Sequence, residues 1–254
     1  MSRDQSLWVV PDCHATPEYD GDDLGRFEAL GDFLRSRAKK GDALVCLGDF
    51  ADMPSLSAYD KGKRSAEGRR YNDDVRVAME AARAAFGGLK GVESHMLMGN
   101  HEDRIDRAAS QDPALHGKLD VSDLGYERLF DHVHPFLKVV GVRGVAFSHY
   151  FASGVMGRPI GGASPANSLL NKLHCSAVAG HSHLLDVAVQ TRPTGEKVWG
   201  VVAGCYTHPD YSEGWCASTR HMWWSGIVRL SQRHGRDGWK IVGVEAIGAE
   251  EILR

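Results

Sequence analysis

The chain has 254 residues, of which 43% are hydrophobic and 25% are charged, and its formal net charge is −3 at pH 7. This composition is typical of a globular protein, and the length suffices for one sizeable hydrophobic core, so we expect a single domain over residues 1–254. The small net charge argues against strong global attraction to nucleic acid or to an acidic membrane.

The five cysteines stand at scattered positions and are odd in number, which is typical of reduced thiols and not of a disulfide framework. The first residues do not resemble a signal peptide, and no apolar run approaches the length of a membrane span. We therefore expect a cytoplasmic protein that does not contact membranes.

The first part of the chain has the pattern of alternating strands and helices. Apolar runs at residues 7–10, 43–47 and 93–98 predict three strands, and helical spacing predicts crossover helices at residues 24–34 and 73–86. Between the second strand and the second helix, residues 54–72 form a long polar insert with five basic residues. An insert of that length inside a domain is usually functional or disordered.

The second part is richer in strands. Helices are predicted at residues 102–109, 121–130 and 167–173, and strands at residues 136–140, 144–147, 177–179, 184–190, 197–203, 223–230 and 239–246. His132 and His134 have a metal-ligand spacing, but Pro135 follows them and no apolar strand precedes them, so we expect a surface turn. The overall order predicts an α/β fold built as a two-sheet β-sandwich flanked by helices.

Five short polar motifs each follow one of these apolar segments. They are Asp12-Cys13-His14, Gly48-Asp49-Phe50-Ala51-Asp52, Gly99-Asn100-His101-Glu102, Ser148-His149 and Gly180-His181-Ser182-His183. Because open α/β sheets build their sites at the carboxyl ends of strands, we expect the motifs to converge. Their carboxylate, imidazole and amide groups suit divalent cations, and the candidate ligands of a two-metal centre are Asp12, His14, Asp49, Asn100, His149, His181 and His183.

The spacing within the motifs suggests individual roles. Along an extended segment, Asp12 and His14 would project to one face and Cys13 to the other, so Cys13 is predicted to pack in the core. The same spacing would place His181 and His183 of the fifth motif side by side. Asp49 is the candidate bridge between two ions, because a carboxylate has two oxygens. Taken singly, Asp12 and Asp49 could instead be helix N-caps, and His149 could be structural.

In this chain order the five motifs resemble the calcineurin-like metallophosphoesterase superfamily. The Gly-rich segment after His149 and the pair Asp103-Arg104 look more like its bacterial and bacteriophage members. The resemblance implies a four-layer αββα sandwich. It implies one metal held by Asp12, His14, Asp49 and His183, and a second held by Asp49, Asn100, His149 and His181. It also implies that His101 is the catalytic imidazole, donating a proton to the leaving group, and that Asp52 orients it.

One position departs from the family pattern. In the phosphoprotein-phosphatase branch an Arg follows the second Asp of the Gly-Asp-x-x-Asp motif and holds the phosphate, whereas Met53 stands there in this chain. Protein phosphatase activity is therefore in doubt. Arg104, Arg158 and the bases of the insert are the candidates for binding the substrate phosphate.

The sequence thus predicts a dinuclear metal-dependent phosphoesterase, acting as a phosphatase or a phosphodiesterase through attack of metal-bound hydroxide on a phosphate ester. Mn²⁺ is the favoured ion, and Fe, Zn, Ni and Mg are compatible with the same ligands. The alternative is a nuclease or nucleotide phosphodiesterase whose basic insert contacts nucleic acid or a polyphosphate. A catalytically silent metal-binding scaffold is the third reading, but it would need neither His101 nor Asp52. The natural substrate and the oligomeric state are not indicated.

Overall fold

The computed structural model describes residues 4–211, 216 and 218–254. The strands are β1 Asp4–Val10, β2 Ala43–Cys46, β3 Glu93–Leu97, β4 His132–His134, β5 Val140–Val142, β6 Val145–Ser148, β7 Ala152–Ser153, β8 Arg158–Pro159, β9 Ala177–Ala179, β10 Leu185–Thr191, β11 Lys197–Ala203, β12 Gly226–Gly235 and β13 Gly238–Gly248. The helices are α1 Pro17–Asp20, α2 Gly25–Arg37, α3 Tyr71–Phe86, α4 Asp103–Gln111, α5 Pro165–Leu173 and α6 Ala249–Ile252. None of the helices in these ranges combines enough length and apolar character to cross a membrane.

Two main sheets organise the described residues. The first has the order β13-β12-β1-β2-β3-β4, and its strands β1 to β4 run parallel. The second has the order β10-β11-β9-β6-β5, with β9 parallel to both β6 and β11. The parallel centres of both sheets give each sheet an end at which several carboxyl termini of strands meet.

The hydrophobic core lies in three layers. Alternate residues of β1, such as Leu7 and Val9, point between the two sheets and pack with Phe147 and Val201 of the second sheet. The opposite face of the first sheet packs against α2 and α3, whose apolar residues recur at helical spacing. The second sheet packs on its outer face against α5 through Leu169. The order of layers is therefore helix, sheet, sheet, helix, as the family resemblance implied.

Three local predictions were wrong. Residues 121–130 form two short 3₁₀ turns and not a helix, because Gly125 between them adopts a left-handed conformation with φ of 62°. Residues 136–139 are not a strand, since Leu137 is also left-handed and turns the chain before β5. His132–His134 is strand β4 and not a surface turn, because it pairs in parallel with β3 at the sheet edge and buries part of Val133.

The polar insert has an ordered centre. The Asp60 carboxylate is buried and accepts hydrogen bonds from Ser65 Oγ at 2.6 Å and Arg69 Nη1 at 2.9 Å. Two 3₁₀ turns, Pro54–Leu56 and Arg64–Ala66, complete the segment, and α3 begins directly after it. Arg69 is therefore used to hold the insert together.

Candidate metal centre

The five polar motifs occupy neighbouring strand ends. Asp12 and His14 follow β1, Asp49 follows β2, and residues 99–102 follow β3, all in the first sheet. His149 follows β6, and residues 180–183 follow β9, both in the second sheet. Because the sheets pack face to face, these loops meet at one end of the sandwich, and the side chains of the candidate ligands converge there.

Backbone hydrogen bonds hold the loops against one another. The backbone N–H groups of Cys13 and His14 both donate to the carbonyl oxygen of Asp49, at 3.0 and 2.9 Å. The buried Glu102 carboxylate accepts hydrogen bonds from the backbone N–H groups of Asp49, Ala51 and Gly99, at 2.9, 2.8 and 2.8 Å. Glu102 thus joins the loop after β2 to the loop after β3.

Glycine is required where these loops approach most closely. A Cβ atom at Gly99 would overlap the Asp49 carboxylate, and one at Gly180 would overlap the Asp12 carboxylate. Gly48 has φ of 93°, which side chains of L-residues rarely tolerate, and it lies against the backbone of Gly99. The glycines of the motifs therefore allow neighbouring loops to pack directly against the carboxylates of Asp12 and Asp49.

Several candidate ligands have a left-handed backbone. The φ angles of His14, Asp49, His181 and His183 are 49°, 45°, 69° and 59°. Non-glycine residues seldom adopt this region, and such strain is concentrated at functional sites. Asp12 and His14 reach the same cluster, as predicted, although His14 does so from a left-handed backbone and not from an extended one. The packing role of Cys13 was correct, since its side chain is fully buried in the core.

One cluster of possible ligands consists of Asp12, His14 and His183, whose side-chain atoms lie within 4.8 Å of one another. The Nε2 atoms of the two imidazoles are 3.1 Å apart, and Nε2 of His183 is 3.2 Å from Oδ2 of Asp12. The other oxygen, Asp12 Oδ1, is buried and has no hydrogen-bond partner among the described residues. Converging nitrogens beside such an oxygen fit a bound cation.

The second cluster consists of Asp49, His149 and His181. His149 donates from Nδ1 to the carbonyl oxygen of Leu47 at 3.0 Å, and its Nε2 lies 3.3 Å from Oδ2 of Asp49 and 2.9 Å from Oδ1 of Asn100. A hydrogen bond from the other ring nitrogen is the usual support of a metal-binding imidazole. His181 and His183, which the spacing predicted to lie side by side, belong to different clusters.

Asp49 lies between the two clusters. Its Oδ2 atom is 3.3 Å from Nε2 of His149 on one side and 4.0 Å from Nε2 of His14 on the other. Its Oδ1 atom accepts a hydrogen bond from the backbone N–H of His101 at 2.8 Å. The carboxylate is therefore held in a position from which it can reach both clusters.

Burial and neighbouring charges both shift the pKa values of the residues at this site. Burial alone would raise the pKa of the Asp49 carboxyl, but the imidazoles of His149 and His101 hold that pKa well below its usual range. Burial opposes protonation of His149, yet Asp49 and Asp12 raise its pKa to about 9. Burial lowers the pKa of His14 and of His181 to about 4, so both rings are neutral, the form that binds a metal. The donor set fits divalent cations, and a cation at His149 would replace the proton that this ring carries.

Asp52 contacts two imidazoles and not one. Its Oδ1 atom is 2.9 Å from Nδ1 of His101, as the predicted partnership requires, but it is also 2.7 Å from Nδ1 of His14. Burial alone would lower the pKa of His101, but the carboxylates of Asp49 and Asp52 more than offset this effect and raise it. Asp52 therefore links the candidate acid to a candidate ligand, a connection that the motif spacing did not reveal.

The two arginines proposed for substrate binding have different surroundings. Arg104 places Nη2 3.1 Å from Nε2 of His101, and its Nη1 donates to the carbonyl oxygen of Asp52 at 2.8 Å. Arg158 lies exposed in β8, in the short hairpin that follows His149. Met53, at the position of the family's Arg, is buried in the core with a left-handed backbone. Arg104 thus brings a guanidinium to the region that Met53 leaves without one.

Three aromatic residues that sequence reasoning did not assign to the site also contact it. The hydroxyl group of Tyr211 donates to Oδ1 of Asp52 at 3.1 Å. The Trp223 ring packs edge-on against His183 with 4.0 Å between ring centroids, and Tyr150 lies 4.8 Å from His181. Tyr150 follows His149 directly, which is a usable signal. Tyr211 and Trp223 carried none, because they lie beyond the last motif.

The comparison with protein-family models agrees with this geometry. The model described as calcineurin-like phosphoesterase matches residues 6–185, which is well over half of the chain and includes all five motifs. The search of curated proteins found no match. Members of this family hydrolyse phosphoesters with divalent metals, and the clusters described above could hold them. The chain belongs to the calcineurin-like phosphoesterase family, that is, to the metallophosphoesterase superfamily.

Proposed function

We propose that the protein is a dinuclear metal-dependent phosphoesterase whose two ions share Asp49. The assigned ligands of one ion are Asp12, His14, Asp49 and His183, and those of the other are Asp49, Asn100, His149 and His181. The observation that carries the proposal is the position of the Asp49 carboxylate, 3.3 Å from an imidazole of one cluster and 4.0 Å from an imidazole of the other. When bound, the ions would supply an activated water and neutralise the phosphoryl oxygens.

The mixture of oxygen and nitrogen ligands suits several divalent ions. Mn²⁺ is our first choice for activation, and Fe, Zn, Ni and Mg are compatible alternatives. The buried carboxylates carry negative charge that a cation would balance, and the neutral imidazoles of His14 and His181 need to lose no proton on binding.

His101 is the proposed general acid. Asp52 holds its Nδ1, so Nε2 is the atom that faces away from this support and can transfer a proton to the leaving oxygen of the substrate. Nη2 of Arg104 lies 3.1 Å from the same Nε2 atom, and because a guanidinium only donates, Arg104 must turn towards the substrate phosphate before Nε2 can carry this proton. A phosphate ester placed here would contact the guanidinium through a non-bridging oxygen while its leaving oxygen meets His101.

A nucleic acid or nucleotide is the second candidate substrate. The observation in its favour is that Lys61, Arg64 and Arg70 of the insert are exposed, while Arg69 is bound to Asp60. Arg70 lines a pocket of about 380 Å³ between the insert and residues 16–18, which follow the first motif. A strand lying along the insert could therefore have its phosphates neutralised close to the site.

We also propose a cytoplasmic location. Cys13, Cys46, Cys175 and Cys205 form no disulfide, and this state is typical of a reducing compartment.

The decisive experiment compares the hydrolysis of p-nitrophenyl phosphate, bis(p-nitrophenyl) phosphate and single-stranded DNA, with Mn²⁺ and with a chelator. We expect Mn²⁺-dependent hydrolysis in the wild type and none in Asp49→Asn. Absence of metal-dependent turnover on every substrate would favour the silent scaffold. If DNA is the substrate, its turnover should fall steeply with salt while that of the aryl ester does not.

A further inference from the structure

A separate group of potential metal ligands lies at the edge of the first sheet. Glu93 and His95 belong to β3, and His132 and His134 belong to β4. The two strands are parallel, with His95 paired to His132. Because side chains two residues apart share a face of a strand, all four project to the same face. Glu93 begins β3, whereas the residues of the candidate metal centre follow its carboxyl end.

Three of these side chains converge on one point. Ligand atoms of Glu93, His95 and His132 all lie within 4.8 Å of one another. Oε1 of Glu93 is 3.4 Å from Nε2 of His95 and 4.0 Å from Nε2 of His132. Two ligand atoms that bind a tetrahedral zinc ion at its usual bond lengths lie about 3.4 Å apart. The first pair already has this separation, and a small rotation of the exposed His132 side chain would bring the second pair to it.

His134 supports the arrangement from behind. Its Nε2 atom lies 3.2 Å from Nδ1 of His95. When Nδ1 of His95 donates this hydrogen bond, its Nε2 carries the lone pair that faces Glu93 and His132. This buried Nε2 has no hydrogen-bond partner among the described residues.

The surroundings allow an ion to enter and remain. His95 is 6% exposed and anchors the group, while the side chains of Glu93 and His132 are 50% and 51% exposed and open to solvent. The nearby Asp131 carboxylate adds negative charge that acts on His95. The His95 and His132 rings stack with 4.7 Å between their centroids, so that a shared cation could bind one nitrogen of each.

We propose that Glu93, His95 and His132 bind one Zn²⁺ ion, independently of the candidate metal centre, with His134 as the support of His95 and water at the fourth position. Two imidazoles, one carboxylate and a water form a recognised zinc coordination set. The site would be a third metal position in the chain.

The test measures zinc bound per protein after equilibration with Zn²⁺ and removal of excess ion, using full-length His132→Gln and Glu93→Gln beside the wild type. His116→Gln is the matched control, because His116 is an exposed histidine outside the group. We expect each ligand variant to lose one equivalent and the control to lose none. His134→Ala should retain the site with about 10- to 100-fold weaker affinity.

Two further measurements distinguish zinc bound at this site from metal bound at the candidate metal centre. In the Asp49→Asn background, His132→Gln should still remove one equivalent. Co²⁺ should give a four-coordinate absorption spectrum whose intensity decreases in the ligand variants, with circular dichroism verifying that they are folded. Equal zinc content and equal Co²⁺ spectra in the wild type, His132→Gln and Glu93→Gln would overturn the proposal.

Discussion

The Glu102 carboxylate accepts a hydrogen bond from the backbone N–H of Asp49 at 2.9 Å, which ties the proposed bridging ligand to the start of α4. The same carboxylate accepts two further backbone hydrogen bonds, from the loops after β2 and β3. Glu102 is fully buried, and its hydrogen bonds with the described residues all come from backbone N–H groups. Its role is therefore to hold the loop geometry on which the site depends.

We predict that Glu102→Gln destabilises the protein by about 2–4 kcal/mol, because the amide NH₂ would face at least one backbone N–H that then has no acceptor. The measurement is urea unfolding at pH 8. Glu80→Gln is the control, since Glu80 forms a surface ion pair with Arg76 and its replacement should cost under about 0.5 kcal/mol. Equal stability of Glu102→Gln and the wild type would contradict the proposed role of this carboxylate.

Asp74 provides a pH-dependent prediction. Its carboxyl is 2% exposed and accepts a hydrogen bond from the backbone N–H of Ser55 at 2.9 Å. Burial, with a contribution from Asp52, raises its pKa from 3.8 to about 6. The Asp74 carboxyl therefore ionises at a lower pH in the unfolded chain than in the folded protein. The folded state loses stability as the pH rises from about 4 to about 6.

Asp74→Asn removes this titration. We expect the free energy of unfolding of the variant, relative to that of the wild type, to increase by about 2–3 kcal/mol as the pH rises from 4 to 7. The exposed neighbour Asp73 supplies the control, because Asp73→Asn removes a carboxylate from the same turn of α3 without touching a buried group. Unfolding free energies at several pH values test this, and a flat curve for Asp74→Asn would refute it.

Because Asp52 contacts both His101 and His14, variants of His101 and of Asp52 should differ in their effects on metal binding. His101→Gln should leave metal content unchanged but slow turnover by about 10²–10⁴-fold, most for substrates with poor leaving groups. Asp52→Asn should slow turnover and also weaken metal binding by about 10–100-fold, because Asp52 supports His14 as well. Metal analysis and kinetics on the two variants test this. If Asp52→Asn kept full metal affinity, its contact with His14 would be without functional effect.

Arg104 is expected to bind phosphate. Arg104→Ala should lower kcat/KM for phosphate monoesters by about 10²–10³-fold, since a guanidinium that contacts the transferring group contributes several kcal/mol. Arg76→Ala, in an exposed ion pair on α3, is the control for removing an arginine. A comparable loss in Arg158→Ala together with normal activity in Arg104→Ala would transfer the role to the β7–β8 hairpin.

Much of the architecture could be predicted from local patterns. Strands β1, β2, β3, β9 and β11 are marked by apolar runs, and α2, α3 and α5 by helical spacing. Such patterns can be recognised because buried apolar residues recur with the period of the helix or strand that they belong to. Residues 121–130 were misread because one left-handed glycine interrupts an otherwise helical pattern. Strand β4 was missed because an edge strand with two histidines has little apolar signal.

The sequence by itself determined the fold class, the family and the order of the polar motifs, because each motif is a short run of neighbouring residues directly after a strand. The family resemblance also implied that His181 and His183 belong to different metals, and their left-handed backbones achieve this division although the two residues are only two positions apart. Only the tertiary structure decided which further contacts the site residues make. The contacts of Asp52 with His14 and of Tyr211 with Asp52 join residues 38 and 159 positions apart. Distances of that kind depend on how two sheets and their loops pack, and no local pattern encodes them.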